Sequence, residues 1–81
     1  MHITVRLFAS HREAAGIAEI AVELPAGSRA VDALDSCRRS HPRVPGRNAV
    51  MAFAVNRELA TPETELNDGD EVAVLPPVAG G

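Results

Sequence analysis

The sequence contains no lysine, tryptophan or tyrosine, and Phe8 and Phe53 are its two phenylalanines. Without lysine, the chain offers no ε-amine for a Schiff base or for an isopeptide bond on itself. Its eight basic residues are all arginines, whose guanidinium groups stay charged. A single cysteine, Cys37, excludes an internal disulfide, so we expect a cytoplasmic protein.

Long apolar runs are also absent. No segment approaches the ~20 consecutive apolar residues of a membrane-spanning helix. The amino terminus enters a strand pattern directly, without the basic and then apolar regions of a signal peptide. The net charge is −3, and from Asn56 onward six acidic residues accompany one basic residue, Arg57. We therefore expect neither a membrane nor a nucleic acid among the partners of this protein.

The residues that are present fit one small domain over 1–75 and a flexible tail over 76–81. At 81 residues, the chain can form a single small core. Apolar residues recur at helical spacing over 29–40, with Ser28 as the expected N-cap and Val31 where a capping box would carry Glu or Gln. A shorter helical turn, ended by Gly16, is expected over 9–15. Alternating or compact apolar patterns predict strands over 2–8, 18–24, 50–55, 58–60 and 71–75.

This element order predicts an α+β fold, with one main helix across one face of a mixed sheet. We expect the first and last strands to lie side by side, parallel, in the middle of the sheet. Their C-terminal ends then meet at one edge, where Phe8 and Leu75 share the face turned away from the helix. An exposed apolar patch of this kind usually marks a binding surface. The alternative is that a loop covers both side chains.

The residue pattern of the carboxyl-terminal segment indicates a functional tail. Pro76 and Pro77 end the last strand, because neither has an N–H group to donate to a neighbouring strand. The six residues from Pro76 to Gly81 reach roughly 20 Å when extended. After Val78 and Ala79, Gly80 and Gly81 add no side chains, so the free carboxylate could pass through a channel too narrow for ordinary residues. A frayed chain end is the plain alternative.

The sequence contains no recognisable catalytic or metal-binding motif. His2, His11 and His41 have no paired cysteines and no zinc-ligand spacing, so we predict no metal site. Cys37 falls on the buried stripe of the helix and is expected to be a packed thiol rather than a nucleophile. The acidic residues over 63–71 lack the spacing of a calcium loop and suit a solvated surface. We expect no enzyme activity from this chain alone.

The chain resembles the small subunits of molybdopterin synthases, which are sulfur carriers with the β-grasp, ubiquitin-like fold. The resemblance covers essentially the whole chain and is strongest over 66–81, Leu-Asn-Asp-Gly-Asp-Glu-Val-Ala-Val-Leu-Pro-Pro-Val-Ala-Gly-Gly. Further matches are Leu7-Phe8-Ala9, Arg12-Glu13-Ala14-Ala15-Gly16 and Ala54-Val55-Asn56. Two departures are Val74-Leu75, where the family often has an aromatic pair, and Arg29, where it often has Thr.

The resemblance implies a chemistry for the tail. An ATP-dependent adenylyltransferase of the ubiquitin-activating type would convert the Gly81 carboxylate into an acyl-adenylate, and a sulfur donor would convert that into a thiocarboxylate. Both are transient covalent states, and no permanently bound cofactor is expected. The large synthase subunit, in a heterotetramer of two small and two large subunits, would use the sulfur to build the dithiolene from cyclic pyranopterin monophosphate. The docking residues that the resemblance implies are Phe8, Arg12, Leu59 and Leu75.

Three alternatives stay open at the level of the sequence. A sulfur carrier for thiamine, cysteine or another metabolite would share the tail and the fold. A ubiquitin-like modifier would also end in two glycines, but it would form isopeptide bonds to other proteins. A plain interaction domain with an incidental tail is the third.

Overall fold

The computed structural model describes residues 1–50 and 52–76. Five strands and two α-helices follow one another, with a short 3-10 turn before the third strand. The elements are β1 (His2–Leu7), α1 (Ala9–Ala15), β2 (Glu19–Glu23), α2 (Ala30–Ser40), the 3-10 turn (Arg47–Ala49), β3 (Ala52–Val55), β4 (Glu58–Ala60) and β5 (Glu71–Leu75). None of the described helices is both long and apolar enough to cross a membrane.

The strands form one mixed sheet in the order β2-β1-β5-β3-β4. The first and last strands pair in parallel, with Thr4 opposite Glu71 and Leu7 opposite Val74. The other three pairings are antiparallel. This α+β arrangement, a β-grasp, is the predicted fold, and the predicted parallel pair of terminal strands lies at its centre.

The core lies between the sheet and α2. On β1, Ile3, Val5 and Leu7 are at most 2% exposed, because every second residue of a strand points to the same face. Val72 and Val74 on β5 and Phe53 on β3 continue this face across the sheet. The helix contributes a narrow stripe of mostly small buried residues, Ala30, Ala33, Leu34 and Cys37. Small side chains let α2 lie close to the strands.

The start of α2 differs from the prediction, and the expected Ser28 cap is wrong. Arg29 is the N-cap residue, and the Asp32 carboxylate accepts a hydrogen bond from its backbone N–H at 2.8 Å. Asp32, rather than Val31, therefore occupies the N3 position of a capping box. The first two helical N–H groups, those of Ala30 and Val31, donate to the carbonyls of Thr64 and Pro62. Contacts from a distant segment thus set where the helix begins.

Two connections require backbone in the left-handed region. Gly16 ends α1 with φ of 74°, and the Asn56-Arg57 turn joins β3 to β4 with φ values of 50° and 70°. The end of α1 at Gly16 is as predicted. Asn56 is also tied to the start of β5, because its side-chain oxygen accepts from Glu71 N–H at 3.0 Å. No element was expected from the sequence where the 3-10 turn lies.

Candidate docking site at the root of the tail

The sheet face turned away from α2, which we call the outer face, carries the predicted docking residues. One row of neighbours crosses it in the order Glu19, Arg6, Ala73, Ala54 and Leu59. Leu75 lies opposite Ala52 in the next row toward the end of β5. Three alanines thus form a low floor between larger apolar side chains.

Phe8 and Leu59 are the exposed large apolar side chains of the described residues, at 37% and 82% exposure. Phe8 follows β1 directly, and Leu75 is the last residue of β5 and is half-buried. Because β1 and β5 are parallel neighbours, both residues lie at the same end of the sheet. We call Phe8, Leu59 and Leu75, with the alanine floor between them, the apolar patch. Within residues 1–50 and 52–76, no loop removes Phe8 from solvent, as the alternative interpretation required.

Arg6 holds the ring of Phe8 from one side. Its guanidinium carbon lies 5.6 Å from the ring centroid, within the range of a cation–π contact. The same group lies 3.4 Å from the Glu19 carboxylate and 3.8 Å from that of Glu71. Two carboxylates on neighbouring strands therefore orient the guanidinium over the ring. Arg6 was not among the predicted docking residues, although its position two residues before Phe8 places both side chains on one face of the strand.

Arg12 lies one helical turn beyond Phe8 on α1. Its backbone N–H contacts the Phe8 carbonyl at 3.4 Å, and its side chain is exposed. The fold therefore brings Phe8, Arg12 and Leu75 to the same end of the sheet. Leu59 lies farther along, on the edge strand β4, opposite Ala54.

His11, the residue before Arg12 on α1, is buried at 3% exposure. Its Nε2 lies 2.7 Å from the Ala49 carbonyl oxygen, and its Nδ1 lies 3.5 Å from that of Val74. Sequence reasoning considered His11 only as a metal ligand. A usable signal was its spacing of four residues from Ala15, which places both side chains on one face of α1.

The tail begins where the patch ends. Pro76 is half-buried and directly follows Leu75. The remaining predicted tail residues, Pro77, Val78, Ala79, Gly80 and Gly81, whose carboxyl group is predicted to react, lie outside the described residues.

The cysteine and the possible metal ligands do not add a reactive group to this site. Cys37 is fully buried on α2, and burial raises the pKa of its thiol from 9.0 to about 11. Because the thiolate is the nucleophile, this cysteine is a packed core residue, as predicted. Across residues 1–50 and 52–76, no three His, Cys, Asp or Glu side chains come together as a metal site would require.

Comparison with known proteins places this geometry in a family. The model of the ThiS family matches residues 5–81. The molybdopterin synthase sulfur carrier subunit of Chlamydomonas reinhardtii is 40% identical over 83 aligned positions, which cover all of both chains.

Two solved structures show the same fold. SAMP1 of Haloferax volcanii, a small archaeal modifier protein, superposes with a TM-score of 0.85 at 28% identity, with all of both chains covered. The second is a chain from the complex of subunits 1 and 2 of the molybdopterin-converting factor of Helicobacter pylori. It superposes with a TM-score of 0.63 at 27% identity, again with all of both chains covered.

Proposed function

Because this chain belongs to the ThiS family, we propose that it is the sulfur-carrying small subunit of a molybdopterin synthase. The name of the Chlamydomonas relative, which matches over its full length, supports this function. The Helicobacter structure, a complex of subunits 1 and 2, supports a large-subunit partner. A cytoplasmic site of action, where a lone thiol stays reduced, is part of the proposal.

The observation that carries the proposal is the position of β5. This strand lies at the centre of the sheet and ends beside Phe8, so the tail starts at the edge of the apolar patch. A partner that covers the patch also receives the tail. Docking and delivery of the terminal carboxyl are therefore one event.

The terminal carboxylate is a poor electrophile and needs activation. A terminal carboxyl group has a reference pKa of about 3.5 and is ionised at neutral pH. We propose that a ubiquitin-activating-type adenylyltransferase joins it to the α-phosphate of ATP, with pyrophosphate leaving. A persulfide sulfur from a donor then attacks the acyl carbon and expels AMP. A second thiol cleaves the sulfur–sulfur bond and leaves the thiocarboxylate on Gly81.

The thiocarboxylate sulfur is the nucleophile of the next step. In the proposed reaction, it is transferred to cyclic pyranopterin monophosphate in the active site of the large subunit. A dithiolene holds two sulfurs, so each product consumes two loaded carriers, which suits a heterotetramer of two small and two large subunits. The small subunit supplies sulfur and reach, and the catalytic residues belong to the large subunit.

Reconstitution with purified components tests the proposal. The native chain is incubated with an activating enzyme, ATP and a sulfur donor, and its intact mass is measured. Replacement of one oxygen by sulfur is expected, and the same mixture without ATP is the control. The loaded chain is then mixed with a large subunit and cyclic pyranopterin monophosphate. Absence of both the mass change and the dithiolene product would contradict the carrier function.

Protein modification is the second candidate, and the similarity to SAMP1 favours it. A modifier would link its terminal glycine to lysines of other proteins. This chain has no lysine, so chains of modifier linked to one another through ε-amines cannot form. Adducts that resist reduction, rather than a thiocarboxylate, would support this function. A carrier for another sulfur pathway would give the thiocarboxylate but no dithiolene.

A further inference from the structure

His11 is a buried polar side chain for which neither docking nor sulfur chemistry accounts. It lies on α1 with 3% exposure, while Arg12, the next residue, faces solvent. Burying an imidazole costs free energy unless the ring finds hydrogen-bond partners. An apolar side chain would fill the same space without that cost. Packing alone therefore does not explain a histidine at this position.

The two carbonyl groups that face the ring belong to segments that converge on the root of the tail. Val74 lies opposite Leu7, the last residue of β1, so no further β1 residue continues the ladder. Ala49 ends the 3-10 turn shortly before β3, where Ala52 lies opposite Leu75. The ring thus lies between α1, the end of β5 and the turn that leads into β3.

The two contacts are unequal. At 2.7 Å, the Nε2 contact with the Ala49 carbonyl has the length of a strong hydrogen bond. At 3.5 Å, the Nδ1 contact with the Val74 carbonyl is at the outer limit. A neutral imidazole has one N–H group, and the shorter distance assigns it to Nε2. The firm link therefore runs from α1 to the segment before β3, and the ring lies against the end of β5.

We propose that His11 is a positioning residue that fixes the direction in which the tail leaves the sheet. The inference rests on the proposed carrier function, in which the terminal carboxyl must reach a reacting atom in a partner. A displacement of about 1 Å at a reacting group can lower a rate by about a hundredfold. A small reorientation at Leu75 and Pro76 displaces the terminal carboxyl by a larger distance, because five residues separate Pro76 from it. The ring prevents it by joining α1 and the β3 segment across that point.

Two variants of similar size separate positioning from packing. His11→Met fills the space but has no N–H donor, whereas His11→Gln keeps an amide that can donate to the Ala49 carbonyl. Single-turnover sulfur transfer from each loaded chain is measured at saturating large subunit, and the Kd is measured by titration. We expect His11→Met to lower the transfer rate at least about tenfold with an almost unchanged Kd. His11→Gln is expected to recover most of the rate.

Spectroscopy gives a readout that does not depend on partners. In the native chain, long-range ¹H–¹⁵N spectra are expected to show His11 protonated at Nε2. The carbonyl ¹³C signal of Ala49 is expected to shift in His11→Met and to return toward its native position in His11→Gln. Unchanged carbonyl signals, or a His11→Met chain that transfers sulfur at the native rate, would overturn the positioning role. Failure of the native chain to transfer any sulfur would overturn the carrier function and, with it, the role of His11 in sulfur delivery, while the carbonyl signals would still test the hydrogen bond from His11 to Ala49 on its own.

Discussion

The two phenylalanines separate docking from stability, because they lie on opposite faces of the same sheet. Phe53 is 4% exposed in the core, whereas Phe8 is 37% exposed on the outer face. A phenylalanine buries about 200 Å² when fully covered, so a partner could cover roughly 75 Å² more of Phe8. At about 25 cal/mol per Å², that area contributes about 2 kcal/mol to docking. Phe8→Ala should therefore raise the Kd for the large subunit by roughly 25-fold.

The stability effects should run the other way. Truncating Phe53 to Ala removes a core side chain and should cost about 3–5 kcal/mol of the free energy of unfolding. For a domain of this size, that lowers Tm by about 12 °C or more, or prevents folding. Phe8→Ala loses the Arg6 contact and the area of Phe8 that the chain already covers, and it should cost roughly 2 kcal/mol, less than Phe53→Ala.

Thermal melts and titration calorimetry on both variants measure the two effects. Phe53→Leu is the matched control, because it keeps most of the apolar volume and should fold and dock with a nearly native Kd. If Phe8→Ala unfolds the protein while Phe53→Ala only loses the partner, the assignment of strand faces is refuted.

Three further predictions follow from the same structure. Deletion of Gly81 should leave Tm unchanged and abolish sulfur transfer in the reconstituted reaction, because it moves the reactive carboxyl by over ~3 Å; near-native product formation would contradict this. Arg6→Met removes the cation–π contact with Phe8, worth about 0.5–1 kcal/mol, and should raise the docking Kd by about two- to fivefold. As the control, Arg43→Met on an exposed loop should leave the Kd unchanged in the same titration. Burial raises the pKa of Cys37 to about 11. Above pH 9, the thiol therefore keeps its proton in the folded state and loses it in the unfolded state. The free energy of unfolding should then fall by up to about 2 kcal/mol between pH 9 and 11. Denaturant unfolding at a series of pH values measures this loss of stability, and Cys37→Ala should remove most of it. The sequence has no lysine or tyrosine, whose side chains would otherwise titrate in the same pH range.

The sequence predicted β1 and β2 well because each of these strands alternates between a buried and a more exposed face. Alternation over β1 and β2 therefore reports directly which side chains enter the core. The same parity placed Phe8 and Leu75 on the outer face. Their docking role stays a prediction.

The features that sequence reasoning missed depend on contacts between distant segments. The start of α2 is set by the carbonyls of Pro62 and Thr64, about thirty residues away along the chain. The Ala49 carbonyl that lies against the buried His11 belongs to a 3-10 turn that was not expected from the sequence. Local propensity contains no information on either partner, so a capping rule chose Ser28 and a metal-ligand search passed over His11.

The central position of β5 also has a consequence for biosynthesis. The middle strand of this sheet is the last of the five strands to be synthesised, and its parallel partner β1 is the first. Their pairing has the highest sequence separation in the sheet, so the sheet cannot close until β5 has been synthesised. A chain that stops before β5 leaves β1 and β3 with unpaired inner edges and exposes the core. Prematurely ended chains should therefore be open to proteolysis, and a chain that displays the closed sheet has already acquired the strand that leads into its tail.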